Sequence, residues 1–300
     1  MIFVSAARRV HPSRAAEPNS DSNFITIFNS IFNVKDHVII IDNDGDMRMH
    51  VVSFTNPKGG TGKTTSAVLL AEQISATGAR VAVLDLDPNA NIAVFAAARK
   101  RSGKAMPFDV FSRPSAAEET VGLIDDLSDR YDYLVVDLEG SKDQIVTFAL
   151  SRTDLCVIPL DGSAMEARQA AQAVNLVQMT GRMIRQPIAY SLLFSRTVPA
   201  FQSSDERDVR AELAASNVAN ILPVRLIKRA AYTRIFRDSL LLSEMLTTTE
   251  SEVAGRSPSA QEARLKPIRA AAENAQQYAQ AVINALAEAK RQAAEQGVPA

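Results

Sequence analysis

Residues 50–75, HVVSFTNPKGGTGKTTSAVLLAEQIS, join an apolar strand-like run, a glycine and lysine loop, and a helical run without a break. Few folds accept that arrangement. Glycines at 59, 60 and 62 allow the backbone to turn its N–H groups inward around an anion. A helix that starts directly afterwards adds the partial positive charge of its N-terminus. Gly62, Lys63 and Thr64 stand where a G-x-x-x-x-G-K-[ST] phosphate loop needs them, while Pro57 takes the place of the first glycine. Lys63 is placed to neutralise the β- and γ-phosphates, and Thr64 to offer a hydroxyl to Mg2+. A second lysine, Lys58, precedes Lys63 by five positions. Lys63 already serves its own loop. A second ammonium held there suits a further phosphate contact, within the chain or across to another copy.

The chain downstream alternates apolar runs with helical ones. Val68, Leu69, Ala71 and Ile74 give the first helix an apolar face, and Gly78 supplies its stop. RVAVLDLD, YDYLVVDLEG, DLCVIPL, PIAYSLLF and NILPV read as strands, with MPFDVF as a short one. Helical runs fall between them, and Ser115 and Glu118 have capping-box spacing before VGLIDDL. The strands are continuous rather than alternating, which marks a parallel sheet buried on both faces. The expected fold is therefore a doubly wound, mostly parallel α/β sheet flanked by helices, over residues 47–250. SEVAGRSPS then reads as a linker, and residues 251–300 as that linker plus an Ala-rich helix packing on the domain.

Residues 1–46 differ in character. No alanine occurs from Glu17 to Ser66, and FITIFNSIFNVKDHVIIIDN is rich in Phe, Ile and Asn. The expectation is a disordered or non-native extension, with the native start at Met47 or Met49. Its apolar residues precede its arginines, the reverse of a secretory signal. A net charge of −1 confines any nucleic-acid binding to a local patch. The single cysteine, Cys156, makes no internal disulfide and holds no iron–sulfur cluster alone, which fits a reducing cytoplasm.

The loop K-G-G-x-G-K-T-T, with its second lysine, resembles the deviant Walker A motif of the ParA/MinD superfamily of P-loop ATPases. The resemblance covers about residues 49–250 and implies ATP and Mg2+ as cofactors. It implies nucleotide contacts from Lys58, Gly59, Gly60, Thr61, Gly62, Lys63, Thr64 and Thr65, with Lys58 reaching across a dimer to the partner's phosphates. VAVLDLDPNAN is similar to the family's D-x-D-P-Q switch segment, with Asn89 for glutamine. By position, Asp87 would orient the attacking water and Asp85 would support the Mg2+ shell. An acid there can instead cap the following helix, a reading that suits Asp87 better than Asp85. Asp137, ending YLVVD, occupies the Walker B position as a further Mg2+ carboxylate, with Thr64 and Asp85. Leu138, Glu139 and Gly140 follow it, a D-x-E-G form that resembles the VirC-like branch acting in DNA transfer. NILPVRL is similar to the family's late strand and implies adenine contacts from Pro223 and Val224. Lys58, Lys63 and Asp87 form the implied catalytic set.

From Arg225 to Arg237, RLIKRAAYTRIFR holds Arg225, Lys228, Arg229, Arg234 and Arg237 without an acid. Tyr232, Ile235 and Phe236 are expected to face inward and leave the cations for phosphate contacts. RKRSGK, at Arg99–Lys104, is a weaker second patch read as a loop. The family resemblance implies an ATP-dependent homodimer that binds DNA non-specifically in plasmid or chromosome partition. Its partner would be a ParB-like centromere-binding protein or a DNA-transfer protein. The implied location is the cytoplasm, at the nucleoid. The C-terminal EAKRQAAEQGVPA is too polar and small for the membrane insertion of a MinD-type tail. A kinase relative's tyrosine cluster is missing, since only Tyr278 lies in the tail. Intact Lys63, Thr64, Asp87 and Asp137 argue against a binding module with a dead nucleotide site.

Overall fold

The computed structural model describes residues 48–139, 143–162, 164–197, 204–215 and 220–295. The expected extension at 1–46 lies outside them. The strands are β1 (His50–Phe54), β2 (Val81–Asp85), β3 (Asp109–Ser112), β4 (Tyr133–Asp137), β5 (Leu155–Leu160), β6 (Ala189–Thr197) and β7 (Leu226–Ile227). The helices are α1 (Lys63–Ser75), α2 (Asn91–Arg101), α3 (Glu119–Leu127), α4 (Gln144–Leu150), α5 (Ala164–Ile184), α6 (Ser204–Ala215), α7 (Ala230–Asp238), α8 (Leu242–Val253) and α9 (Pro258–Glu295).

The strands form one sheet in the order β3-β2-β4-β1-β5-β6-β7, with every pairing parallel. The apolar runs explain why. All of β2, β4 and β5 is buried, so helices must cover both faces. Val52, Phe54, Val83, Val135 and Val157 pack under α1, α8 and α9, against Leu69, Met245, Tyr278 and Val282. Val51, Leu84, Val136 and Ile158 point the other way, against Ile124, Val146, Leu150 and Val177 of α3, α4 and α5. β1 lies between β4 and β5: the chain leaves β1 for β2 on one side, and later crosses from β4 past β1 to β5 on the other. Ligands bind at such a switch point, outside the carboxyl ends of the strands.

Buried polar groups tie the helices together on the α1 side. Glu72 of α1 is fully buried and accepts hydrogen bonds from Leu242 N (3.3 Å), Ser243 N (3.1 Å) and Ser243 Oγ (3.0 Å) at the start of α8. Burial raises its pKa, and the three donors oppose that rise. The Tyr278 hydroxyl of α9 donates to Ser66 O of α1 at 3.1 Å. Arg99, expected in a surface basic patch, is fully buried. Its guanidinium forks onto Glu244 of α8, at 2.5 and 2.8 Å, and donates to Ala105 O and Ser239 O.

Three local expectations need correction. NILPV is not a strand: Ile221 makes an isolated bridge to Leu192, and pairing resumes only at Leu226. Pro223 carries no N–H to continue the ladder. The Ser115–Glu118 capping box does not form, because α3 starts one residue beyond Glu118 with no side-chain cap. Residues 116–120 instead make a preceding turn, with Glu119 N bonded to Ala116 O and Thr120 N to Ala117 O. The joint before α9 is also shorter than SEVAGRSPS suggests, since α8 runs through Val253 and turns at Gly255.

Gly181 of α5 is needed for space. A Cβ there would stand 2.9 Å from Gln186 O and 3.3 Å from Ile188 N, both main-chain atoms. Gly181→Ala is expected to destabilise the fold by about 1–2 kcal/mol, because backbone displacement outweighs the helix propensity gained. The urea midpoint reads this directly, and an unchanged or raised midpoint would show that the α5–β6 turn yields freely.

Candidate nucleotide site

The phosphate loop leaves β1 at the carboxyl edge of the sheet. Asn56, fully buried, anchors its start: Nδ2 donates to Pro159 O at 2.6 Å and Oδ1 accepts from Lys58 N at 2.9 Å. Gly60 and Gly62 have φ of +82° and +93°, a region closed to most side chains. Gly62 is the N-cap of α1, with no side-chain cap and no acid in the first turn. The N-terminus of α1 is thus presented to an anion. Lys63 is 7% exposed, and its Nζ reaches Asn56 O (3.3 Å) and Lys58 O (3.4 Å). Thr61 Oγ1 and Ser66 Oγ are buried with no hydrogen-bond partner among the described residues.

The two strand-end carboxylates meet beside this loop. Asp85 and Asp137 are register partners across β2 and β4, and Phe54, at the end of β1, is the partner of Asp137 on its other side. Neither oxygen of Asp137 has a hydrogen-bond partner among the described residues, and the residue is fully buried. Burial pushes its pKa up to about 7; the nearby Thr64 hydroxyl pulls it down, and the charge of Asp85 adds to the rise. The Thr64 contact lowers the pKa without meeting full hydrogen-bond geometry. Asp85 Oδ2 accepts from Ile92 N (2.9 Å) and Ala93 N (3.0 Å), so Asp85 holds the first turn of α2. Its Oδ1 is buried and unpartnered. Asp87, which the sequence suggested as the cap, instead accepts from Asn89 N and Nδ2, both at 2.8 Å.

Orphaned carboxylate oxygens beside a threonine hydroxyl form a hard oxygen donor set, which fits Mg2+. Among the described residues, no group of three His, Cys, Asp or Glu side chains stands ready to hold a metal unaided.

Two contacts to the loop were not anticipated. Ser195 Oγ donates to Thr61 O at 2.6 Å, and the Arg196 guanidinium donates to Gly60 O. Both residues sit at the carboxyl end of β6, and Arg196 has a left-handed φ of +56°. The available signal was SRT, a polar step closing an apolar strand. Pro223 and Val224 fall between the two points where their segment pairs with β6, level with that strand's middle. Pro223 is exposed and Val224 packs partly on the core.

Glu139, after Asp137, lies 3.8 Å from Arg113, whose other nitrogen holds Asp143 at 2.5 Å. Asp143 caps α4. Gly140 lies outside the described residues.

The basic stretch leaves β7 at the same carboxyl edge. As expected, Tyr232 and Ile235 are buried, and Phe236 packs against Phe95 with ring centroids 5.4 Å apart. The cations are less free than the sequence suggested. Arg225 pairs with Glu206 (3.3 Å), and Arg234 (2.8 Å) and Arg237 (2.6 Å) share Asp238. The two arginines hold the Asp238 carboxyl well below its usual range. Lys228, Arg229 and Arg234 border a cleft.

The chain resembles known proteins over most of its length. The family model "ATPase MipZ" matches residues 50–198. Protein ParA of Rhizobium radiobacter is 30% identical over 244 residues, covering 81% of this chain and all of that protein. Protein virC1 of Rhizobium rhizogenes is 30% identical over 133 residues, 43% of this chain and 56% of that protein. The crystal structure of a putative plasmid partition protein from Borrelia burgdorferi, bound to AMPPNP, superposes with a TM-score of 0.52 at 16% identity, covering 64% of this chain and 91% of that one. The 30% identity to protein ParA over that protein's whole length, with the double-lysine loop and paired strand-end carboxylates, shows that this chain belongs to the ParA family of P-loop ATPases, within the ParA/MinD superfamily.

Proposed function

We propose that the chain is a partition-type ATPase that dimerises on binding ATP, binds DNA non-specifically in that state, and releases it when a partner protein stimulates hydrolysis. The observation that carries this reading is Lys58. Its backbone is pinned by the fully buried Asn56, in the same loop where Lys63 already lies inside the phosphate cradle. A second lysine whose backbone is anchored in that loop suits a contact with another copy's phosphates, which would make ATP binding and dimerisation one event.

In this reading the loop amides and the N-terminus of α1 bind the phosphates, with Lys63 beneath them. Thr64, Asp85 and Asp137 would hold Mg2+, which when bound supplies charge neutralisation at the phosphates. Asp87 orients the attacking water. Arg225, Lys228, Arg229, Arg234 and Arg237 contact DNA phosphates without reading bases. The adenine contacts would come from Pro223 and Val224.

The test is duplex DNA binding by the full chain, by fluorescence anisotropy, with ATP, ADP or no nucleotide. Binding is expected with ATP alone, and Lys58→Ala is expected to weaken it at least tenfold and to leave sedimentation at the monomer position. Equal binding in all states, or an ATP-bound dimer in Lys58→Ala, would overturn this role for Lys58.

The Asp137-Leu138-Glu139-Gly140 segment and the virC1 likeness favour one second reading, an ATPase assisting assembly of a DNA-transfer complex. Capture of a relaxase rather than a centromere-binding protein by the ATP-bound chain would select it.

A further inference from the structure

A second anion-binding arrangement lies away from the phosphate loop. Between the start of α7 and the α8–α9 pair is a cleft of about 330 Å³, lined by Lys228, Arg229, Arg234, Thr249, Glu252 and Arg264 among others. Four of these are cations and one is an acid. The cations come from two separate regions, 228–234 and the first turns of α9, and the fold brings them to one concavity. Glu252 pairs with Arg264 at 3.3 Å, and Asp238, outside the cleft, pairs with Arg234 at 2.8 Å. The lining keeps a positive excess. Ala230 and Ala231, at the N-terminus of α7, also form the wall, and that helix start has neither a side-chain cap nor an acid in its first turn. The Nε of Arg229, the N-cap residue, is buried with no hydrogen-bond partner among the described residues. The rest of the Arg229 side chain is only partly buried and lies by the Tyr232 hydroxyl, so this one N–H is what a ligand oxygen could satisfy.

We propose that this cleft is a phosphate-binding site distinct from the ATP site, seating one phosphate group between Arg229, Arg234, Lys228 and Arg264. Its volume stands at the lower end of the range for small-ligand pockets, about 300–1,000 Å³. That suits a phosphorylated small molecule or a single phosphodiester entering from a nucleic-acid backbone. Arginine's planar fork and the helix start both match phosphate oxygens. If the phosphate comes from DNA, the site refines the DNA contact proposed above; if it comes from a small molecule, it stands apart from that reading.

Arg264 separates the two. It lies in the cleft but outside the stretch assigned to DNA, whereas Arg237 belongs to that stretch but not to the cleft. The experiment measures pyrophosphate binding by calorimetry on the full chain, with a non-hydrolysable ATP analogue saturating the phosphate loop. Duplex DNA binding is measured in parallel. Arg264→Gln is expected to weaken pyrophosphate binding about tenfold, the loss of one charge-assisted contact, and Arg291→Gln, an exposed residue near the far end of α9, to leave it unchanged. Arg229→Gln should reproduce the first effect. Both altered side chains border the cleft, so thermal melts accompany the titrations. Parallel loss of DNA affinity in Arg264→Gln would identify the backbone as the phosphate source. Intact DNA affinity would identify a small ligand. Absence of DNA binding in every state, with the pyrophosphate effect retained, would sink the DNA reading and leave the cleft standing. Pyrophosphate binding that is absent, or equal in wild type and Arg264→Gln, would overturn the proposal.

Discussion

Lys63→Ala is expected to lower the ATP turnover number by about a thousandfold, the upper range for removing one preorganised charge from a water-poor site, without lowering the melting temperature. Both halves follow from the geometry. The ammonium is almost completely buried, and two long contacts to main-chain carbonyls, at 3.3 and 3.4 Å, hold it. Among the described residues, no carboxylate lies within ion-pair distance of it. A charge so placed is unfavourable for the empty fold, and its complement is the phosphate that enters the loop. Alanine removes that unfavourable term along with the function. The measurements are steady-state hydrolysis with excess Mg2+, binding of a fluorescent ATP analogue, and a thermal melt of each chain without nucleotide. Residual turnover above a tenth of wild type would show that the loop amides and α1 carry most of the phosphate charge. A drop of several degrees without nucleotide would mean that the two carbonyl contacts support the loop itself.

Sequence and structure agree best where a motif letter and a place on the sheet are the same statement. An apolar run ending in aspartate puts that carboxylate at the carboxyl edge of a parallel strand. Asp85 and Asp137 were therefore legible, and so was the loop after β1. The disagreements involve partners distant in the chain. Arg99 sits in RKRSGK and reads as a surface cation, because its acceptor, Glu244, lies 145 residues away. Ser195 and Arg196 reach the phosphate loop across more than 130 residues, and the polar SRT step that ends their strand does not say which loop they meet. Asp238 tempers the basic stretch from just outside the window in which it looks free of acids, and Glu206 does so from 19 residues before Arg225. Local turn chemistry misled in the opposite way. Ser115 and Glu118 have the spacing of a cap, but a turn at 116–120, with Glu119 N and Thr120 N bonded to Ala116 O and Ala117 O, precedes the helix, which starts only at Glu119.

Arg99→Ala is expected to have the largest effect on folding, a loss of about 3 kcal/mol. For a chain of this size that is a fall of about 6–10 °C in Tm. The guanidinium is fully buried at the last turn of α2, while Glu244 opposite is about one third exposed, at 30%. Its removal leaves Ala105 O and Ser239 O without a donor and the Glu244 carboxylate without its cation. Water reaches Glu244 but not the space the arginine fills, so both a cavity and an unpaired charge remain. The pair-specific part is separable: Arg99→Met with Glu244→Leu keeps the volume and removes both charges, and should recover more than half of the loss. Urea unfolding of the two single variants and the double completes the cycle. Strict additivity would show that packing of the arginine, not its ion pair, supplies the stability. Function should respond less than stability, because the other end of α2 is held by Asp85 through Ile92 N and Ala93 N. The loosened end faces α8, whose first turn is fastened by Glu72 of the helix that begins at the phosphate loop. Arg99 and Glu72 therefore brace α8 from two helices, each starting at the nucleotide site. Losing one brace weakens the hold of the C-terminal helices on the sheet before it disturbs the phosphate loop.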